Sequence, residues 1–439
     1  MKDCQLKGMS VGIVKNDKLI FVKNYGSDTL SKQFLLGNLS QPFTALLAMK
    51  LYDNGLLDID KNIVTYLPWF KVADTLSEKI TVRHLLNHSS GIPLKSSFVD
   101  LAGEDQPDAF RQSRLRLSKI KLEHEPGEDY TYSALNYKLL GLILEKVSGQ
   151  TFDTLLHQMI LQPLAMKNTT ALEDKIVTQY LNEAYTYTWL WSKSAGKEHY
   201  IHSAIPSSYI ASNVTDMSLF LRAMIRSAVN DSSAILCSPK SMQTILSPFN
   251  TSYYGMGWMA DNWEGERIYF QQGLTQHYSS YICFIPDEKT GIILLSNINN
   301  LTSLEKINDG MLRILQKMKV PVYFTTEKYF RLAILFLIGL VFLQLMLRLL
   351  KWSIQHWNFK IRWNYSNTSF FVIGIIFTMI WLYVIPNYFQ MPISALIAWQ
   401  PDMGISLITG AVLGTINTFI QLIIRSNHHK HVKKRKQAV

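Results

Sequence analysis

The sequence has 439 residues, which is too long for one compact core and indicates at least two structural units. Its net charge of +11 is uneven: 12 of the 44 Lys and Arg and 2 of the 33 Asp and Glu follow Val320, which leaves 32 basic and 31 acidic side chains in residues 1–320. A nearly neutral unit without charge runs argues against nucleic-acid binding, and three widely spaced cysteines (Cys4, Cys237, Cys283) argue against a disulfide framework or a CxxC metal site.

Short β-prone runs lie at both ends of residues 1–320, and mostly helical patterns lie between them. The runs are Ser10–Val14, Leu19–Val22, Ile268–Gln271, Ser280–Ile285 and Ile292–Ser296. An amphipathic helix is predicted over Ser303–Lys317. We therefore expect an α+β fold in which the first and last strands share one antiparallel sheet and a helical subdomain is inserted between them.

The stretch from Leu36 to Lys50 predicts the start of a buried helix. Pro42 suits a first helical turn, and Asn54-Gly55 is a typical C-terminal stop. Asn38 then lies at the N-terminal mouth of this helix. There the helix dipole and the free backbone N–H groups favour a developing negative charge.

Several phrases, in the same order along the chain, resemble the serine β-lactamase and penicillin-binding protein family, in particular its class C-like and esterase-like branch. They are Gly37–Ala45 (GNLSQPFTA), Val82–Pro93 (VRHLLNHSSGIP), Pro126–Ser133 (PGEDYTYS), Tyr137–Gly141 (YKLLG), Tyr254–Trp258 (YGMGW) and Ser279–Tyr281 (SSY). The resemblance covers about residues 8–318. It implies a β-lactamase/transpeptidase-like fold, in which a five-stranded antiparallel sheet and a helical subdomain enclose a cleft.

The resemblance also implies an acylated serine with a lysine three residues later as its proton acceptor, and this chain departs from that pattern. The nucleophile position falls on Asn38 and the base position on Gln41, and a carboxamide serves as neither. Ser40 is turned away by about 200° of helix rotation. The second motif reads Tyr132-Ser133-Ala134 and the third reads Gln271-Gln272-Gly273, so that of the six family positions Tyr132 and Gly273 are retained and Asn38, Gln41, Ala134 and Gln271 are changed. His88 is interpreted as a structural loop histidine.

The C-terminal third carries three apolar runs that predict membrane helices. The predicted segments are a domain over 1–320, a linker over 321–331, spans over 332–350, 369–386 and 404–425, and a basic tail over 426–439. Basic residues cluster in the first loop and in the tail, which predicts a cytoplasmic tail and an extracytoplasmic N-terminal domain. Residues 1–26 contain no signal-peptide apolar region, so we expect upstream sequence to supply a leader.

The leading hypothesis is a membrane-anchored, catalytically inactive relative that binds cell-wall (peptidoglycan) peptide or a protein partner, without cofactor or metal. One alternative is an active hydrolase with altered machinery: a β-lactamase, a D-Ala-D-Ala peptidase or an esterase. Another alternative is a membrane sensor or docking module in which the spans are the working part.

Overall fold

The structure is a computed structural model and falls into two compact units. The described residues are 6–26, 30–73, 75–99, 101, 113–171, 181–188, 191–196, 201–230, 236–250, 252–323, 326–355, 376, 379, 382–383 and 392–436. One unit comprises Met1–Thr186 with Ser192–Tyr323, and the other comprises Tyr187–Trp191 with Phe324–Val439. The two units are described separately.

The first unit is built on a six-stranded antiparallel sheet in the order β2-β1-β10-β9-β8-β7. Its strands are β1 (Met9–Lys15), β2 (Lys18–Tyr25), β7 (Met259–Trp263), β8 (Glu266–Leu274), β9 (Ser279–Ile285) and β10 (Thr290–Ser296). Two short ladders complete the strands: β3 (Phe34–Leu35) with β6 (Ala211–Ser212), and β4 (Ala184–Thr188) with β5 (Trp191–Gly196). As predicted, the first strand pairs with the last, from Met9 opposite Ser296 to Lys15 opposite Thr290.

The sheet has one strand more than the five that were expected. The additional strand is β7, which forms a hairpin with β8 through Glu264 and Gly265, both at positive φ. Its sequence (MADNW) has no β-branched residue, and the exposed Asp261 and Asn262 interrupt the apolar alternation by which a strand is recognised.

Helices cover both faces of this sheet. They are α1 (Ser40–Asp53), α2 (Val82–Leu86), α3 (Ala134–Ser148), α4 (Phe152–Leu156), α5 (Ile205–Ser208), α6 (Val214–Ala228), α7 (Pro239–Leu246) and α8 (Leu301–Leu315). Gly12 and Gly291 allow α6 to approach one face, where an added Cβ would lie within 3 Å of Val214 and Leu221. Helix α8 packs on the opposite face, where Cys283 donates to Asn308. Strands β9 and β10 are therefore buried along their whole length.

Helix α1 is the buried centre of the helical subdomain. Eleven of its 14 residues are buried, and Phe43 stacks on Phe220 of α6 with ring centroids 4.2 Å apart. The helix ends at Asp53, ahead of the Asn54-Gly55 stop, where Gly55 has φ +73. A helix buried on nearly all sides holds its N-terminal residues in fixed positions, which matters for the cleft.

The second unit contains α9 (Thr326–Gln355), α10 (Ile393–Trp399) and α11 (Pro401–Lys436). Within the described residues, two segments are long and apolar enough to cross a membrane, Arg331–Leu350 and Pro401–Ile420. The predicted span over 369–386 lies largely outside the described residues. Helix α9 begins inside the segment predicted as a linker, and α11 continues into the predicted tail.

Three polar contacts show that α9 and α11 run in the same direction. At their N-terminal ends, the buried Arg331 forms an ion pair with the buried Asp402. Roughly four to five turns further along both helices, Asn417 accepts from Arg348 at 2.5 Å and donates to Gln344 at 3.3 Å.

This pairing predicts which side chains can be joined by a crosslinker. In a variant whose three native cysteines are replaced by alanine, Gln344→Cys with Asn417→Cys should be joined by a short thiol-reactive reagent. Gln344→Cys with Ser406→Cys is the control, since Ser406 lies near the other end of the pair. Crosslinking of the control pair in preference to the first, read by mass spectrometry, would contradict the parallel arrangement.

Candidate ligand-binding cleft

The turn that carries Asn38 is pressed against the end of β8. Residues Gly37–Leu39 form a 3-10 turn that leads directly into α1. Gly37 has φ +56, and a Cβ at this position would lie 2.2 Å from the backbone nitrogen of Leu274. A Cβ on Gly273 would lie 1.9 Å from the carbonyl oxygen of Leu36. These two glycines therefore permit a close approach that brings the turn and the strand together.

The carboxamide of Gln41 is the centre of a buried hydrogen-bond cluster, which we call the Gln41 cluster (Gln41, His88, Tyr132 and Tyr254). Gln41 is 0% exposed. Its Oε1 accepts from the Tyr254 hydroxyl at 2.8 Å and lies 3.3 Å from His88 Nε2, and its Nε2 donates to the Tyr132 hydroxyl at 3.1 Å. The lysine position of the family is thus occupied by an amide held through three contacts.

The surroundings of His88 decide its tautomer. Its Nδ1 is 3.3 Å from the backbone N–H of Ser133 and 3.0 Å from the side-chain nitrogen of Asn136. Because the backbone group can only donate, Nδ1 is the acceptor, and the proton of a neutral imidazole is on Nε2, where it donates to Gln41. Complete burial lowers the pKa of His88 to about 3, which keeps the ring neutral near pH 7.

The tyrosines of the cleft are neutral as well. Burial raises the pKa of Tyr132, of Tyr254 and of the neighbouring Tyr137 above the usual range for a phenol. The Tyr137 hydroxyl donates to the carbonyl oxygen of Leu86 at 2.8 Å. The hydroxyl oxygens of Tyr254 and Tyr137 are 3.5 Å apart. A phenol that resists ionisation is a hydrogen-bond donor and a poor base.

At Ala134, the first residue of α3, a serine from another segment supplies a polar group. The Ser97 hydroxyl oxygen accepts from the Ala134 backbone N–H at 2.9 Å. Lys138, one turn further along α3, donates to the carbonyl oxygens of Ser97 and Val99 at 3.0 and 2.8 Å. Lys138 therefore holds the Ser97 segment beside the position where the family has an asparagine.

The third motif lies on the strand that edges the cleft, as the resemblance implies. Gln271 and Gly273 share one face of β8, since alternate residues of a strand point the same way. Gln271 is 4% exposed, and its Oε1 accepts from the backbone N–H of Gln272 at 3.1 Å. Gln272 points to the opposite face, where it donates to Glu305 on α8 at 2.6 Å.

The outer edge of β8 is unpaired beside the Asn38 turn, within the described residues. Strand β7 pairs with β8 only as far as Phe270. The Thr275 backbone N–H donates to the carbonyl oxygen of Tyr278, in the turn that leads to β9, and therefore points towards β9. Since successive N–H groups along a strand of an antiparallel ladder point in opposite directions, the Leu274 N–H points to the outer edge. This edge can accept an extended chain as an additional strand.

The cleft therefore brings together all six family positions. Asn38 is partly exposed, and its side chain makes no hydrogen bond to any part of the chain that the structure describes. Ser40 is fully buried and its hydroxyl accepts from the Ile210 backbone N–H at 3.1 Å, away from the Gln41 cluster. Among the described residues, no group of three or more His, Cys, Asp or Glu side chains is placed to hold a metal ion.

Sequence reasoning missed three residues of this site. His88, interpreted as a structural loop histidine, lies in the cluster itself, at φ +56. In the sequence, Tyr254 is identified only as part of the YGMGW phrase. Gly257 of the same phrase lets this segment approach α1 and thereby positions Tyr254, since a Cβ at Gly257 would lie 2.8 Å from the Pro42 nitrogen. Ser97 carried no sequence signal, because its role depends on a contact with a distant segment.

Comparison with known proteins agrees with this geometry. The chain is 28% identical to Protein flp of Staphylococcus aureus (strain MW2), across 67% of this chain and 60% of that protein. It is 26% identical to Penicillin-binding protein 4* of Bacillus subtilis (strain 168), across 62% of each. The chain thus spans less than two thirds of the length of either relative.

Solved structures show the same fold. A penicillin-binding protein homologue from Pyrococcus abyssi superimposes with a TM-score of 0.60 at 24% identity, over 73% of this chain and 75% of that one. A D-stereospecific amidohydrolase from Streptomyces sp. superimposes with a TM-score of 0.57 at 19% identity, over 69% of this chain and 94% of that one. The β-lactamase family model matches residues 1–316. With the fold, the ordered motifs and this match in agreement, the chain belongs to the β-lactamase family.

Proposed function

We propose that this protein is a membrane-anchored, non-acylating member of its family, whose cleft binds a cell-wall peptide reversibly. The observation that carries the proposal is the Gln41 cluster. The amide at the base position is oriented by two donors and one acceptor, so it is an integrated part of the core and has no lone pair that could accept a proton near pH 7.

The shape of the cleft supports a peptide as its occupant. On the unpaired outer edge of β8 the Leu274 N–H and the Gln272 carbonyl oxygen are left for an extended chain, while the Gln272 N–H donates to Gln271 Oε1. The close packing of Gly37 on Leu274 keeps the mouth of α1 next to that edge. The Bacillus relative is named as a penicillin-binding protein, which is in accord with a peptide-like ligand.

An enzyme that uses Tyr132 is the less favoured alternative. The hydroxyl of Tyr132 already accepts from Gln41, and burial raises its pKa, so it cannot serve as a base near neutral pH. Ser40, the hydroxyl nearest in sequence, is bonded to Ile210 instead. The arrangement retains recognition groups and lacks an activated nucleophile.

Exposed apolar helices support the membrane part of the proposal. Only 6% of the apolar window in Arg331–Leu350 is buried, and Phe336 and Leu337 are 66% and 55% exposed. A core helix of a soluble domain would be mostly buried, whereas a helix in lipid keeps such a surface. Parallel α9 and α11 are consistent with an intervening return span over 369–386. With the basic tail in the cytoplasm, residues 1–320 are outside.

The unmodified chain should form no acyl adduct. Incubated with a reporter penicillin and an activated ester, the full chain should keep its intact mass, because Asn38 and Gln41 replace a nucleophile and base that act as one unit. Penicillin-binding protein 4* of Bacillus subtilis serves as the reactive control. A covalent adduct mapped to any residue of the cleft would overturn the non-acylating assignment.

Gln41→Met should lower the free energy of unfolding by about 2 kcal/mol or more, since each buried donor left without a partner costs about 1–3 kcal/mol. The affected groups are the His88 N–H and the Tyr254 hydroxyl. Gln243→Met, on the exposed side of α7, is the matched control and should change stability by less than about 0.5 kcal/mol. Denaturant unfolding of the full chain in detergent measures both; equal stabilities would show that the cluster contributes little.

Topology can be read with an impermeant maleimide in whole cells. In a variant without native cysteines, Ser394→Cys, exposed on α10, should be labelled from outside, and Ala438→Cys in the tail should be labelled only after lysis. The reason is the basic tail, which is retained on the cytoplasmic side. Labelling of the tail in intact cells would reverse the proposed orientation.

A further inference from the structure

Apart from the ammonium group of Lys138, the groups identified around the cleft are neutral, although the family resemblance implies a cation or an imidazole at residue 271. The Gln41 cluster consists of an amide, a neutral imidazole and two phenols. Gln271 adds a second amide and Ser97 a hydroxyl. The ammonium group of Lys138 is buried and donates to two backbone carbonyls, so it is already engaged in holding the Ser97 segment.

Several of these groups have donors left for a ligand. The Tyr132 oxygen accepts from Gln41, and within the described residues its own proton has no acceptor. The hydroxyl oxygen of Ser97 likewise accepts from the Ala134 backbone N–H, so the hydroxyl proton of Ser97 can donate to a ligand. The Oε1 of Gln271 accepts from the backbone N–H of Gln272, so the NH₂ group of Gln271 can still donate to a ligand. The cleft wall therefore presents donors that suit the oxygen of a carbonyl.

A carboxylate and a carbonyl differ in what they cost to bury here. A carboxylate that enters this largely buried site loses its hydration, and this desolvation cost is only partly offset by the already engaged Lys138 ammonium and by the roughly half positive charge at the N-terminal end of α1. A carbonyl accepts the same hydrogen bonds without that cost. The N-terminal end of α1, equivalent to roughly half a positive charge, suits the partial negative charge of a carbonyl oxygen.

We propose that the cleft selects uncharged, carbonyl-bearing peptides and discriminates against peptides that end in a free carboxylate. The ligand class is then an amidated peptide or an internal stretch of peptide, bound along β8 with a carbonyl directed at Tyr132 and the mouth of α1. This inference rests on the proposed peptide-binding function and adds the chemical state of the ligand.

The test compares two probes that differ in a single group. N-acetyl-D-alanyl-D-alanine amide and the corresponding free acid are titrated into the full chain in detergent at pH 7 by calorimetry. The amide should bind at least about 10-fold more tightly than the acid, since this corresponds to about 1.4 kcal/mol and the desolvation difference is larger. The mass of the protein is checked after each titration.

A variant series assigns the effect to β8. Gln271→Lys should improve binding of the acid by at least about 10-fold and thereby lower the ratio of amide affinity to acid affinity, and Gln271→His should act in the same direction at low pH. Gln272→Lys is the control, because that side chain points to Glu305 on the opposite face and should leave the ratio as in the wild type.

The outcomes separate this inference from the function on which it rests. If the wild type binds neither probe, the proposed peptide-binding function fails and the inference fails with it. If the wild type binds both equally, or binds the acid more tightly, peptide binding stands and the selection for an uncharged ligand is overturned. These wild-type results do not depend on whether any variant folds.

Discussion

The hydrogen bonds of the Gln41 carboxamide are the interaction on which the cleft depends. Gln41 projects from the first turn of the most deeply buried helix and joins three segments that are distant in sequence, through His88, Tyr132 and Tyr254. An amide fits this position because it offers an acceptor and a donor at once. A lysine at position 41 would place its ammonium group against the Nε2–H of His88, so that two donors would face each other. His88 cannot relieve this by moving its proton, because its Nδ1 accepts from the Ser133 backbone N–H.

The members of the Gln41 cluster are therefore coupled to each other. A neutral His88 supplies a donor, and Gln41 supplies the matching acceptor. In turn, Gln41 donates to Tyr132 and leaves the Tyr132 proton for a ligand. Burial of polar groups is tolerated when each has a partner, and such networks specify a single arrangement. The amide at the base position thus belongs to a network that keeps this part of the cleft polar.

Much of the fold could be predicted from the sequence, because it is encoded in local patterns. Five of the six strands of the main sheet (β1, β2, β8, β9 and β10), the α8 helix and the Asn54-Gly55 stop follow from periodicity and from capping chemistry. Strand β7 escaped prediction because the exposed polar residues Asp261 and Asn262 in its middle interrupt any apolar alternation. The site was predicted where a motif carried it, at Asn38, Gln41 and Gln271. It was missed at His88 and Ser97, whose roles depend on contacts between distant segments.

The protonation state of His88 tests the account most directly. An uncharged Gln41 cluster in which His88 donates to Gln41 requires a neutral ring that is protonated on Nε2. Nitrogen NMR of the full chain labelled with ¹⁵N-histidine, with His88 assigned by difference from a His88→Gln variant, reports the tautomer and its titration. We predict the Nε2–H tautomer at pH 7 and no imidazolium at pH 5, since burial lowers the pKa to about 3. An imidazolium that forms with a midpoint near the ordinary 6.5, or a proton on Nδ1, would contradict the account.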